Sequence, residues 1–381
     1  MTEHSRSAPA AAPQTGVQIR EMRPEDADPL EAVMRRAFDP FDRLLYSTRG
    51  RDVLVAVDAD DTPIGGVVLH ATPAPDRPAP HGRLGIVHFI FADPEAGIRG
   101  IGTALREAAD ERFGQLGCTE TSARIDAVNT ASQALHRSGG YHLATGREQL
   151  RRWGWRLPQR WLQAGHGFDP GMQLWLRPDT TPAPRSPAQW TRLAATWVLN
   201  AALLAVIAWR APRGEATLAV ALGTAALAAG VLLGVREAAI RLTARSQALD
   251  LEHAPWGNAV GLSGVLALAV GVWLPLTGSS TPQATRWRHD AEVARLGRAH
   301  LAGGLAVAAL AWTTILIEPD LAWLNWPDLR RAAVMLALID LVVPISPLIG
   351  TAARHVKEWS TAAWVPLAVL GLGPLLLTLL G

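Results

Sequence analysis

The chain has 381 residues, enough for two domains, with a hydrophobic share of 49%, a charged share of 18% and a formal net charge of +2. The averages hide a break near residue 190: residues 193–381 carry 13 Arg/Lys and 11 Asp/Glu, which leaves 23 of each for residues 1–192. A first part with no net charge excludes a nucleic-acid-binding arm, and Cys118, the one cysteine, excludes an intramolecular disulfide and a cysteine-rich metal cluster.

Residues 1–16, rich in Ala, Pro, Ser and Thr, read as a disordered tail, and no cleavable signal peptide is expected. Residues 17–22 read as a first strand. Asp28 is placed to cap a helix, with Pro29 at its first position and Glu31 three residues after the cap. Leu30, Val33, Met34, Ala37 and Phe38 follow at helical spacing. Residues 52–57 and 64–70 are β-like and separated by a turn over 58–63, which predicts a hairpin. A Pro-rich loop over 72–80 leads to a further strand, 83–91, ending at Asp93-Pro94.

A glycine-rich turn follows, Gly97-Ile98-Arg99-Gly100-Ile101-Gly102, and runs into a helix whose apolar side holds Leu105, Ala108, Ala109, Phe113 and Leu116. Residues 122–128 form the next predicted strand, 130–138 a short helix ending in Gly139-Gly140-Tyr141, and 172–176 a final strand before a Pro-rich linker. The order βαββ(loop)βαβαβ is that of an α/β domain with a central mixed sheet. Within it, the strand, glycine turn and helix in direct succession make an anion site. Amides at the helix start point at a ligand, and glycines let a phosphate approach the main chain.

In this wider pattern the first half resembles the GNAT N-acetyltransferases, whose turn Q/R-x-x-G-x-G/A binds the pyrophosphate of acetyl-CoA. Gly97, Ile98, Arg99, Gly100, Ile101 and Gly102, followed by Thr103 and Ala104, match that turn. The second family block, Asn-x-x-Ala-x-x-Leu-Tyr-x-x-x-Gly-Phe, is matched by Asn129, Ser132, Leu135, His136, Gly140 and Tyr141. The resemblance implies a GNAT-like mixed sheet flanked by helices, acetyl-CoA as cofactor, and cofactor contacts from residues 97–103 and Asn129. Gly97 departs from the usual Gln or Arg. His136 stands where the family often places a tyrosine that protonates the leaving thiolate; histidine and the nearby Tyr141 can each donate a proton. His88, on the strand before the turn, and Asp93 at its end are candidate bases, with Asp39 and Asp42 as weaker acceptor-side candidates.

Residues 147–161 interleave Arg147, Arg151, Arg152, Arg156 and Arg160 with Trp153, Trp155 and Trp161. Arginine with tryptophan suits a lipid headgroup layer or an acceptor groove; the other reading is a sheet-edge hairpin with a solvated arginine face. Beyond residue 190, apolar runs at 193–209, 217–235, 258–277, 300–317, 332–350 and 361–380 predict an all-α bundle of about six transmembrane helices. Trp190, Trp197, Trp209, Trp273, Trp312, Trp323, Trp326 and Trp359 fall near their ends as an aromatic belt. This half resembles site-2-protease-like intramembrane zinc peptidases. Their HExxH helix aligns with Arg236-Glu237-Ala238-Ala239-Ile240, a middle Ala-Gly-Pro feature with Ala302-Gly303-Gly304, and their last block with residues 340–350, where Pro344, Pro347, Leu348 and Gly350 remain. The ligand positions hold Arg236, Ile240 and Ile349, so the alignment implies neither a bound metal nor proteolysis. Arg236 or Arg241 is instead expected to pair with Glu237 or Asp340 inside the bundle.

The domain scheme is thus a tail (1–16), a GNAT domain (17–177), a Pro-rich linker (178–190) and a multi-pass membrane domain (191–381). The expected function is transfer of acetyl from acetyl-CoA to an unidentified primary amine by a membrane-anchored enzyme, with the GNAT domain on the cytoplasmic side and no nucleic-acid partner. The alternative is an acetyl-CoA-sensing regulator whose bundle binds a transmembrane protein.

Overall fold

In the computed structural model the described residues are 16–38, 43, 47–48, 51–72, 82–166, 171–178, 188–210, 217–282, 288–319, 321, 323–344 and 350–380. Asp39, Asp42, Pro347, Leu348 and Ile349, all invoked above, lie outside them, as do most of the tail and of the two Pro-rich segments. Contacts divide the chain into two units. One takes the described residues up to Ala123 with Leu135–Tyr141 and the end of the last sheet strand; the other takes Arg124–Ala134, His142–Trp175 and the described residues from 188 onward.

Strands β1 (Gln18–Glu21), β2 (Asp52–Val57), β3 (Pro63–Ala71) and β4 (Arg83–Ala92) pair antiparallel in chain order. With β5 (Cys118–Asp126), β6 (His142–Leu143) and β7 (Met172–Pro178) they make one sheet in the order β1-β2-β3-β4-β5-β7-β6, and β4 and β5 run parallel. β5 begins four residues earlier than the expected start at Ser122.

Helix α1 (Ala27–Ala37) lays Leu30, Val33 and Met34 on Val53, Val55, Val57, Val68, Phe89 and Phe91 of the sheet. Each such side chain contributes on the order of 1.5–3 kcal/mol by leaving water. The expected cap at Asp28 is not formed. A 3-10 turn, Pro24–Asp26, precedes the helix, and the buried Asp26 carboxylate accepts the Arg23 amide at 2.6 Å and pairs with Arg20. On the other helix of this unit, α2 (Ile101–Gln115), Ile101, Leu105, Ala109 and Phe113 are buried. Phe113 lies so close to β4 that a Cβ on Gly85 would meet its ring at 2.6 Å.

Helix α3 (Thr130–Ser138), divided between the units at Leu135, is followed in the second unit by α4 (Gly146–Trp153), a 3-10 turn and α5 (Leu157–Ala164). The segment 147–161 is therefore helical, which overturns the sheet-edge hairpin reading. Thr145 caps α4 by accepting the Glu148 amide, and Gly165, at φ +68°, ends α5. Trp153 turns inward, Trp161 donates to Gln149 at 2.7 Å, and Trp155 is 84% exposed.

Among the described residues beyond 188, four helices are long and apolar enough to cross a membrane: α6 (Gln189–Arg210), α7 (Leu218–Ser246), α9 (His289–Leu316) and α12 (Thr361–Leu380), where α8 is the short Val260–Val265. Six were expected. The third apolar run is instead a 3-10 turn, α8 and a π-helical segment, Leu266–Val270, stopped by Gly271 at φ +73°. The fifth is α10 (Trp326–Ala337) plus a π-helical segment, Leu338–Val342. Pro344 pushes Val343 to an extended conformation (φ −98°, ψ 92°) and ends it. A hairpin of β8 (Leu251–Ala254) and β9 (Ser279–Pro282) and the short helix α11 (Ala352–Trp359) complete the region. Trp273 does not join a belt: it is buried and donates to Asn200 at 3.1 Å.

Arg236 and Asp340 form a bidentate pair at 2.7 and 2.9 Å, both nearly inaccessible, and Arg241 pairs with Glu237 at 2.6 Å. Asp340 also accepts the Ala352 amide at 3.0 Å, so one carboxylate fixes the start of α11 as well. Glu237 accepts from Ser280 Oγ, and the buried His253 lies 3.2 Å from that hydroxyl and 2.8 Å from Thr196 Oγ1. Lys357, exposed on α11, has its ammonium 5.5 Å from the Trp364 ring centre.

Candidate functional site

β4 is joined differently on its two sides. Its antiparallel ladder with β3 runs on to Ala92, while the parallel ladder with β5 ends at Val87↔Ala123. β4 therefore runs on from His88 to Ala92 beyond the end of the parallel ladder, while β5 continues unpaired with it to Asp126. The β3 ladder also slips there: Val68 faces Phe89 and Leu69 faces Val87, so His88 is the bulged residue. A bulge re-aims a side chain and breaks pairing locally. The His88 ring is half-buried, with its centre 6.0 Å from that of His70 on β3.

The turn that follows is built by Asp93. Its carboxylate accepts the Glu95 amide at 3.0 Å, its carbonyl accepts the Ala96 amide at 3.3 Å, and Arg36 on α1 clamps it with two hydrogen bonds. Arg36 holds this carboxyl below the usual carboxylate range. Asp93 is thus engaged as a turn anchor. Gly97 (φ +66°) and Gly100 (φ +88°) take backbone angles that side chains resist, and residues 97–100 are exposed. Gly100 is the residue before α2; the helix has no side-chain cap and no acidic residue in its first turn. Among the described residues the amides of Ile101, Gly102 and Thr103 have no hydrogen-bond acceptor, and the Ala104 amide is the first to be satisfied, by the Gly100 carbonyl. Outward amides at a helix N-terminus, with an exposed glycine turn before them, bind a diphosphate. A strand with an open edge accepts an extended chain by main-chain hydrogen bonds. The two features are consecutive in the chain.

The proton-handling candidates are partly brought together. His136 and Tyr141 are both buried and meet edge to face, ring centres 5.1 Å apart. The Tyr141 hydroxyl donates to Asp110 at 2.8 Å, and Asp110 also pairs with Arg106 (2.6 Å) and Arg177 (2.7 Å). Burial and the Asp110 charge push the phenol well above its ordinary pKa. Asn129 caps α3, its Oδ1 accepting the Ser132 amide at 2.9 Å.

Sequence reasoning missed Asp110, Arg106 and Arg177. The i,i+4 spacing of Arg106 and Asp110 on a predicted helix was the one visible signal. It also missed Asp126 at the end of β5, which accepts the Val128 amide at 3.1 Å and pairs with Arg354 of α11 within the second unit.

A strand leaving its parallel neighbour, then a glycine turn, then an uncapped helix start offers outward amides to an anionic ligand. Residues 18–141 match the model of the Acetyltransferase (GNAT) family, and the chain carries a GNAT acetyltransferase domain over that stretch. Among similar solved structures are a GCN5-related N-acetyltransferase from Kribbella flavida (23% identity, 43% of this chain and 98% of that one, TM-score 0.28). Another is a GNAT family N-acetyltransferase from Escherichia coli solved with CoA (20%, 43% and 83%, TM-score 0.30). A third is the ribosomal-protein-S18-alanine N-acetyltransferase from Escherichia coli (14%, 45% and 99%, TM-score 0.30). No curated protein matches the sequence. Nothing in these comparisons supports the zinc-peptidase resemblance of the helical region.

Proposed function

We propose that the chain is an N-acetyltransferase held at a membrane, in which residues 17–177 act on a primary amine and residues 191–381 cross the bilayer after a Pro-rich linker, with the acetyltransferase part facing the cytoplasm. The observation that carries the reading is the run from His88 on β4 through the glycine turn to the uncapped start of α2. The residues present fit acetyl-CoA. Amides 101–103 and the exposed turn at Gly97, Ile98, Arg99 and Gly100 suit its diphosphate, and the β4 backbone beyond Val87 suits an extended arm. When bound, acetyl-CoA supplies an acyl thioester to the acceptor amine. His88 would take a proton from the incoming ammonium, and His136 or Tyr141 would give one to the leaving thiolate. The four long apolar helices support membrane insertion by length and composition.

A second reading is favoured by the burial of both acid candidates, each about 2% exposed, and by the commitment of the Tyr141 hydroxyl to Asp110. In it the domain binds acetyl-CoA as a signal, and the helices pass the bound state to a transmembrane protein. The full chain in detergent separates the two. Calorimetry with acetyl-CoA reports binding, and thiol release in the presence of a panel of primary amines reports turnover. Turnover that falls about 100-fold in His88→Ala, with little change in acetyl-CoA affinity, supports catalysis. Binding without turnover on any amine moves the case to the sensor, and a folded chain that binds no acetyl-CoA sinks both.

A further inference from the structure

The helical region contains a groove of about 500 Å³, within the range that holds small ligands. Its walls are apolar and come from four helices and a π-helical segment: Leu204 on α6, Ala225 on α7, Met335 on α10 and Leu375 on α12, with Val270 at the end of the π segment. Its lining carries three charged residues and two threonines, Thr224 and Thr378. Arg210 is the last residue of α6, and Asp328 and Arg331 lie in the opening turns of α10. The α7 residues that line it belong to the first half of that helix, and the α12 residues to its last turns. All these helix ends mark one side of the helical bundle.

The depth is telling. From Arg210 back to Leu204 is about 9 Å of helix, and from Asp328 to Leu338 about 15 Å, at 1.5 Å per residue. That is half or less of a hydrocarbon core about 30 Å thick, the depth of a single leaflet. The charge at the mouth is net positive: two guanidinium groups against one carboxylate. Arg331 is 74% exposed and touches Asp328 at 3.2 Å; Arg210 donates one N–H to the Ala267 carbonyl at 3.0 Å. A guanidinium has five N–H donors, so both retain capacity for phosphate oxygens.

We propose that this groove holds one acyl chain of an anionic phospholipid from the leaflet at which α6 ends, with the phosphate against Arg331 and Arg210. The inference rests on the reading of α6, α7, α9 and α12 as membrane spans.

The test uses the full chain. Membranes containing it are first washed with alkaline carbonate. The protein is then purified in mild detergent and incubated with an equal mixture of dioleoyl-phosphatidylglycerol and dioleoyl-phosphatidylcholine, and retained lipid is read by native mass spectrometry. The expected result is a preference for phosphatidylglycerol of about tenfold, the factor carried by 1.4 kcal/mol. Arg331→Glu, on an exposed side chain, brings the two lipids close to parity. Ala225→Trp, which fills the groove, loses retention of both. Equal retention of the two lipids by the unaltered chain overturns the proposal, as does a preference that survives Arg331→Glu. Undiminished retention by folded Ala225→Trp also overturns it. Release of the chain by carbonate overturns the membrane reading and this proposal with it, whereas a carbonate-resistant chain without lipid preference overturns this proposal alone.

Discussion

At the start of α2 three backbone amides face outward without an acceptor among the described residues, behind an exposed turn. In the helical region the reverse holds: Arg236, almost inaccessible, commits its guanidinium to Asp340, and Asp340 is shared with the first amide of α11. One region leaves polar groups unsatisfied at the surface, where water or a ligand completes them. In the other this charged pair is closed on itself, because an unpaired charge away from water costs several kcal/mol. The same residue chemistry thus reads as a binding site in the first case and as architecture in the second. Partner and burial decide which, not residue type.

The largest test of that contrast is Asp340→Asn. It strands the Arg236 charge and lowers unfolding stability by about 3–5 kcal/mol. Chemical unfolding in detergent measures the loss, and the double replacement Arg236→Met with Asp340→Leu recovers most of it. A single variant as stable as the parent would break the comparison.

Next in size is a pH effect. Burial pushes His253 down to about 4, against the opposing pull of the Glu237 charge. Its folded pKa lies below the unfolded value of about 6.5, so the unfolded chain takes up the proton first. Stability is whole above about pH 6.5 and falls by about 3 kcal/mol as the pH drops toward 4. His253→Gln flattens that limb of the stability–pH curve. Identical curves for parent and variant would place the acid sensitivity elsewhere.

The open end of the comparison is probed by Gly100→Val. A β-branched side chain at φ +88° costs about 1–3 kcal/mol, and it tilts the amides behind it. Acetyl-CoA affinity of the folded variant drops about tenfold or more by calorimetry, and the unfolding midpoint falls by the few degrees that the strain implies. Unchanged affinity in the folded variant would mean that the turn serves the fold rather than a ligand. The smallest effect belongs to Trp155→Ser. That indole is 84% exposed, and its removal shifts stability by no more than about 0.5 kcal/mol. A larger change would show that α4 and α5 need a cover the surface does not reveal.

The strand–turn–helix core was legible because its signals are local. Asp93-Pro94, the glycines at 97, 100 and 102, and the apolar stripe from Leu105 to Phe113 sit within two dozen residues. The Arg236–Asp340 pair was legible too, since charges inside apolar runs are costly and seek each other. What the sequence hid is either non-local or one residue wide. Tyr141 meets Asp110 across 31 positions, and nothing in residues 83–92 marks His88 as the bulged one, because that strand is apolar on both faces and has no alternation for a bulge to interrupt. The span count failed for a physical reason as well. Apolar composition measures where a chain is at home, not whether its helix is continuous. Gly271 and Pro344 each stop a run that hydropathy alone would carry across.

Lys357 has a consequence of its own. It is the one lysine in the chain, the other 35 basic residues being arginine, and guanidinium groups remain protonated and non-nucleophilic at any physiological pH. A domain supplied with activated thioesters is surrounded by electrophile, and its own amines are the nearest targets for stray acylation. Here the only side-chain amine stands 5.5 Å from the centre of the Trp364 ring. Under the acetyltransferase reading proposed above, a stable side-chain amide formed after exposure to acetyl-CoA reports on Lys357 alone.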